Sequence, residues 1–183
     1  MIQIDYVRHI TQQPERLNRE IFEGMIRSGQ VRRCVEGFRQ ARSGEEADAL
    51  KRQMPGVCWQ ATYGGGKRTD ANAVPNGLFA LDIDHIAAMG LVDCAGPDDL
   101  WKRIRDRIDE LDIVCAHKTI SGDGLRIVAL CQPQFRSIAE NQAWLADEIH
   151  CIHDAVCRDW ARLYFISVEE DFFYVDWETL FGC

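Results

Sequence analysis

No apolar run in this 183-residue chain is long enough to span a bilayer. The first residues also lack the basic-then-apolar pattern of a secretory signal. The expected setting is the cytoplasm, with no membrane partner. No Cys-x-x-Cys occurs among the eight cysteines, so neither a zinc site nor a redox dithiol is expected. Several of them, such as Cys115 and Cys131, lie inside apolar runs, where a thiol acts as a small hydrophobe. Free thiols in a reducing compartment follow. Positive charge is not in excess, because the formal net charge is −8. A protein that coats DNA without regard to sequence is normally basic. Any nucleic-acid contact must use a local patch, or metal ions that offset the acids. Gly64-Gly65-Gly66-Lys67-Arg68, a glycine run with two cations, has two readings: a cradle for phosphate or, favoured because it lacks P-loop spacing, a hairpin tip or linker. No histidine or lysine is placed as a covalent nucleophile, and His117 and Lys118 fall on a predicted strand.

What is present is a core-forming chain, 46% hydrophobic, organised around Leu78–Asp84. This apolar strand ends in Asp82 and Asp84. Strand side chains alternate in direction, so the two carboxylates share a face with Cα atoms about 7 Å apart. Two adjacent acids repel unless a cation sits with them, and Mg²⁺ or Mn²⁺ suits carboxylate oxygens. Three predicted helices precede the strand, from about Thr11 to Gly29, from Gln30 to Arg42, and from Ser43 to Pro55. They carry most of the arginines, interleaved with glutamates. Two readings stand: a solvated helix face, or a surface that touches a phosphate backbone. Residues 1–56 are expected to pack as a helical region on a core formed by residues 57–183.

From Leu78 onward the predicted order is strand, helix (97–111), strand (113–119), strand (125–131), helix (137–153), strand (163–167). The fold class is thus α+β, with a ferredoxin/RRM-like βαββαβ core, an antiparallel sheet and an N-terminal helical subdomain. Right-handed crossovers give the strand order 4-1-3-2. At the C-terminal end of the first strand this order gathers Asp82, Asp84, Ser121, Arg126, Arg162 and either Asp154 or Asp159. Three carboxylates with two arginines suit two metal ions about 4 Å apart and a triphosphate. Simpler readings compete: acids capping a strand end, arginines neutralising them as a salt-bridge network, Asp159 bonding its own backbone in a turn, and Ser121–Gly124 acting only as a hairpin turn.

Three motifs carry a family resemblance: Leu81-Asp82-Ile83-Asp84, Ser121-Gly122-Asp123-Gly124-Leu125-Arg126, and Asp154 followed by Arg158-Asp159-Trp160-Ala161-Arg162-Leu163-Tyr164-Phe165-Ile166-Ser167. The chain resembles the VirE N-terminal-domain-like family of the archaeo-eukaryotic primase (primase–polymerase) superfamily. The resemblance implies a palm-like core that polymerises nucleotides on a single-stranded DNA template with Mg²⁺ or Mn²⁺, in the replication of a mobile element or replicon. It implies catalytic and metal-binding roles for Asp82, Asp84 and Asp154, a catalytic role for Arg126, and nucleotide contacts from Ser121, Gly122, Gly124, Arg126, Asp159 and Arg162. Arg126 stands where many members place a histidine, and Glu169-Glu170 replaces the usual Asp-Pro. A helicase partner is implied, since such domains are often joined to one. The alternatives are a degenerate palm that binds nucleotide or nucleic acid without turnover, and a metal-dependent phosphodiesterase.

Overall fold

The computed structural model describes residues 2–152 and 158–182. The strands are β1 (Asp5–Val7), β2 (Glu15–Arg16), β3 (Gly56–Cys58), β4 (Ala61–Thr62), β5 (Val74–Pro75), β6 (Leu78–Ile83), β7 (Ile113–Lys118), β8 (Leu125–Leu130), β9 (Tyr164–Phe165) and β10 (Phe172–Val175). The helices are α1 (Arg19–Ile26), α2 (Gly29–Gln40), α3 (Gly44–Lys51), α4 (Pro97–Ile104), α5 (Ile138–Glu148) and α6 (Trp177–Phe181). The protein is α+β with antiparallel sheets. Among the described residues no helix is long and apolar enough to cross a membrane.

The principal sheet has the order β10-β7-β8-β6, and all of its pairings are antiparallel. Alternation along these strands splits the core in two. Phe79, Leu81 and Ile83 of β6, with Ile127 and Ala129 of β8, pack against Leu100, Trp101 and Ile104 of α4 and Leu145 of α5. Leu78, Ala80, Val128 and Cys115 face the other way, into a cluster with Ile4, Phe22, Val35, Trp59 and Tyr164. The second sheet, ordered β2-β1-β3-β9, contributes to this second layer.

Helix ends follow local chemistry. Asn18 caps α1 by accepting from the Ile21 amide at 2.8 Å, and Ser137 with Glu140 forms a reciprocal box at the start of α5. Pro97, with Asp98 and Asp99 in the first turn of α4, suits the positive end of that helix. The first predicted helix starts later than its apolar pattern suggests. Glu15 and Arg16 instead pair with Tyr6 and Asp5, and Arg16 Nε donates to Asp5 Oδ1 at 3.0 Å. The C-terminal residues form α6, whose Trp177 and Phe181 rings pack on Phe22.

One strand lies elsewhere than the 4-1-3-2 order requires. β6, β8 and β7 take the expected sequence of neighbours, but β9 pairs with β3 and not with β6. The free edge of β6 is satisfied by side chains. Gln60 Oε1 accepts from the Ala80 amide at 3.2 Å, and Gln142 Nε2 donates to the Ala80 carbonyl at 2.8 Å. Both glutamines are fully buried, and Tyr164 donates its hydroxyl to Gln60 Oε1 at 2.9 Å. A buried peptide group must find a partner, and here two amide side chains replace the neighbouring strand.

The arginines of the helical region are largely spoken for. Arg27 pairs with Glu23 and Glu169, Arg32 with Glu170, Arg19 with Glu23, and Arg39 with Asp171. Glu169 and Glu170 thus tie the segment before β10 to α1 and α2.

His117 lies on β7 between Arg126 of β8 and Phe172 of β10, fully buried, with its ring 4.5 Å from the Phe172 ring. Its Nδ1–H donates to the Lys118 carbonyl at 2.7 Å. Burial, reinforced by Arg126, pushes its pKa down to about 3. The folded chain therefore keeps this ring neutral while the unfolded chain protonates it below about pH 6.5. Stability from His117 is complete above that value and is lost as the pH falls toward 3. Urea denaturation of wild type and His117→Phe at pH 7 and pH 5 should show the wild type losing about 2 kcal/mol more than the variant.

Candidate functional site

β6 and β8 pair in a register that sets Asp82 directly opposite Arg126, and β8 with β7 sets Arg126 opposite His117. A polar row therefore crosses one end of the sheet, on the face turned away from α4 and α5. Arg126 Nε donates to Asp82 Oδ1 at 2.7 Å and Nη2 donates to Asp82 Oδ2 at 2.9 Å. This is the bidentate arrangement for which a planar guanidinium is suited. Nη1 donates to the Phe165 carbonyl at 2.9 Å, and the guanidinium carbon lies 4.7 Å from the centre of the Tyr164 ring. Asp82 and Arg126 are 8% and 7% exposed, so the pair sits essentially out of water.

Asp84 follows the last residue of β6 and is half-buried. Burial raises its carboxyl above the usual carboxylate range, the neighbouring Asp82 adds to the rise, and Arg126 partly offsets it. Gly124 makes this position possible. A Cβ there would stand 2.7 Å from Asp84 Oδ1, 2.7 Å from Thr119 Oγ1 and 2.8 Å from the Ile83 carbonyl oxygen. Those contacts are too close for any side chain, so glycine is the only residue that fits.

The turn between β7 and β8 carries the rest of the predicted motif. Gly122 has φ +84°, which glycine adopts without strain. Its amide donates to the Thr119 carbonyl at 2.9 Å. Ser121 Oγ lies 2.8 Å from Thr119 Oγ1 and donates to Asp123 Oδ1. His85 Nδ1 meets Asp123 Oδ2 at 2.9 Å. Partial burial alone would raise the Asp123 carboxyl, but the bonds from Ser121 and His85 outweigh it and hold the group below its ordinary range. From α2, Arg39 reaches the Ile120 carbonyl at 3.1 Å and Asp171 at 2.6 Å, which ties this turn to the helical region.

These groups open onto a cleft of about 590 Å³. Asp84, Ser121, Asp123, Asp159 and Arg162 all line it. Lys51 from the end of α3 and Arg68 from the glycine-rich loop add positive charge. Among the described residues, Arg162, Lys51 and Arg68 form no ion pair with a carboxylate. Arg68 Nη1 donates to the Ala161 carbonyl, and the Ala161 amide donates to Asp70 Oδ1 at 2.8 Å, so the glycine-rich loop grips the peptide beside Arg162. The Asp159 carbonyl accepts from Gln60 Nε2 at 3.0 Å. A cleft of this volume is in the size range of small-molecule sites.

The structure thus gathers Asp82, Asp84, Ser121, Arg126, Asp159 and Arg162 around one cleft, with Gly122 and Gly124 shaping its turn. Asp154 lies outside the described residues. Among the described residues no three histidine, cysteine or acidic side chains gather as a metal cage. Sequence reasoning set Lys51 and Arg68 in stretches that could meet phosphate without assigning either to this cleft, and it missed Gln60 as the support of the Asp159 segment. No local pattern marks Gln60, because it acts through long-range contacts.

Removing one partner of a buried ion pair leaves the other charge stranded. Arg126→Ala should destabilise the protein by about 3–5 kcal/mol in chemical denaturation at pH 7. Asp82→Asn combined with Arg126→Gln should recover much of that loss, because neither charge is then left alone.

A search of the curated proteins and of the solved structures gives no match. A family model described as BT4734-like, N-terminal domain matches residues 49–174. That span covers more than half of the chain and contains Lys51, Asp82, Asp84, the Ser121–Gly124 turn and Arg162. The chain belongs to the BT4734-like N-terminal domain family.

Proposed function

We propose that this chain is a nucleotidyltransferase domain of primase–polymerase type, with a palm-like core. It would bind a metal-chelated nucleoside triphosphate in the cleft and add the nucleotide to a growing strand on a single-stranded DNA template, in replication of a mobile element or replicon. The observation that carries the reading is the meeting of opposite charges in one cleft. Asp84 lines it without an ion pair of its own, and Arg162, Lys51 and Arg68 line it without carboxylate partners, all among the described residues. The βαββαβ chain order, the three sheet neighbours it predicts and the resemblance of the three motifs support the palm assignment.

The acids fit a divalent ion on stated terms. Asp84 offers a carboxylate that burial and Asp82 make costly to keep charged, and a cation relieves both penalties. Asp82 offers no such need, because Arg126 already meets both of its oxygens. Mg²⁺ and Mn²⁺ are commonly held by one or two carboxylates together with substrate phosphates. A bound ion would supply charge neutralisation at the α-phosphate and lower the pKa of an attacking hydroxyl.

The chain's own residues supply the rest. Arg162 takes phosphate oxygens, with Lys51 and Arg68 adding to the field that draws a polyanion into the cleft. Ser121 is held by Thr119 and Asp123 at the turn, where it can hydrogen-bond a phosphate or ribose oxygen. Gly122 and Gly124 keep the turn low enough for ligand to approach. Arg126 aligns Asp82 and ties β8 to β9.

A second reading is a module that binds nucleotide without turnover. It is favoured by one observation: Arg126 occupies Asp82, which leaves the described site short of the carboxylates that two-ion catalysis uses.

Calorimetric titration of Mn²⁺ with a nucleoside triphosphate should show coupled binding to the wild type. Asp84→Ala and Arg162→Ala should each weaken it at least tenfold, with Asp84→Ala no less heat-stable than wild type. Incorporation of labelled nucleotide on a primed single-stranded template then separates the two readings. Absence of Mn²⁺–triphosphate binding by the wild type sinks both.

A further inference from the structure

Resting on that reading, we propose that Arg126 is the resident cation of the acid pair, so that Asp82 and Asp84 together accept one divalent ion, at Asp84, where two-ion chemistry would place two. The argument begins with donors and acceptors. Asp82 has two oxygens, and each receives an N–H from the same guanidinium, at 2.7 and 2.9 Å. Guanidinium and carboxylate are both nearly excluded from water. A metal ion entering at Asp82 would have to displace Arg126 from both carboxylate oxygens.

Arg126 is also held in place independently of Asp82. Nη1 is anchored on the Phe165 carbonyl, and the guanidinium lies over the Tyr164 ring. Both anchors come from β9, which is itself fixed by Tyr164 bonding the buried Gln60. His117, opposite Arg126 on the next strand, stays neutral and does not compete for Asp82.

The charge balance then leaves one site open. Asp82 and Arg126 cancel. Asp84 stands beside them and forms no ion pair of its own among the described residues. A divalent ion at Asp84 reverses that charge locally and prepares the cleft for phosphate. The arginine does the neutralising work of a second ion, but it cannot lower the pKa of a bound hydroxyl, because a guanidinium has no coordination site to offer. Such a site should bind metal–triphosphate well and turn over slowly.

Electron paramagnetic resonance counts bound Mn²⁺ without relying on activity. Without nucleotide, wild type and Arg126→Gln are titrated with Mn²⁺ alone. Arg126→Gln should gain one ion per chain, or bind Mn²⁺ at least tenfold more tightly, and adding Asp82→Asn should abolish the gain. With nucleoside triphosphate, the wild type should bind one protein-held ion. Asp84→Asn should weaken that binding at least tenfold, and the neutralised pair Asp82→Asn/Arg126→Gln should change it less than threefold. Circular dichroism establishes that each variant is folded. If Arg126→Gln does not fold, the neutralised pair decides the matter in the presence of triphosphate. Two protein-held ions in the wild type, or a tenfold loss in the neutralised pair, would overturn the inference while leaving the polymerase reading intact. Gain of an ion by Arg126→Gln with no triphosphate binding by any variant would uphold the inference and end that reading.

Discussion

The buried ion pair between Asp82 and Arg126 is the constraint on which the rest of the site depends. It follows from strand register: a shift of one residue between β6 and β8 would separate the two charges and strand both in the core. Once made, the pair fixes three things. It ties β6 to β8 by side chains as well as by the ladder. It draws β9 over the sheet end through the Phe165 carbonyl. It leaves Asp84 at the cleft without an ion pair of its own among the described residues. Buried pairs of this kind are weak sources of stability but strong specifiers of arrangement, since each partner is costly without the other.

Around that pair the fold solves a second problem, the edge of β6. A palm-like sheet would cover this edge with another strand. Here Gln60 and Gln142 satisfy the Ala80 peptide, and β9 is released to pair with β3. The same Gln60 holds Tyr164 and the Asp159 carbonyl, so one side chain links the sheet edge to the segment that presents Arg162. The arginines of α1 and α2 serve a comparable end. Paired with Glu169, Glu170 and Asp171, they fasten the helical region to the strand edge at β10. The cations that line the cleft without carboxylate partners among the described residues are instead Lys51, Arg68 and Arg162.

Much of this was legible in the sequence, and the exceptions have physical causes. Alternation along Leu78–Asp84 placed both acids on one face, and the antiparallel return of β8 placed Arg126 and the Ser121 turn beside them. These are consequences of a two-residue period and need no long-range information. The position of β9 was not legible. A short apolar strand pairs wherever an edge is open, and nothing in Leu163–Ser167 shows that two glutamines, one 20 residues before Ala80 and one 62 after, have already closed the edge of β6. The bidentate grip of Arg126 on Asp82 was one of several pairings the topology allowed, and only rotamers and burial selected it. The early start assigned to α1 failed because Asn18 is the better cap and because Glu15 and Arg16 found partners on β1.

The most direct measurement is the position of Mn²⁺ by anomalous diffraction from crystals grown with a non-hydrolysable nucleoside triphosphate. The expected result is a single protein-bound ion at Asp84, bridged to the phosphates, with Arg126 still on both oxygens of Asp82 and Arg162 turned to the triphosphate. An ion shared between Asp82 and Asp84, with Arg126 swung away from β6, would contradict the central role given to the pair.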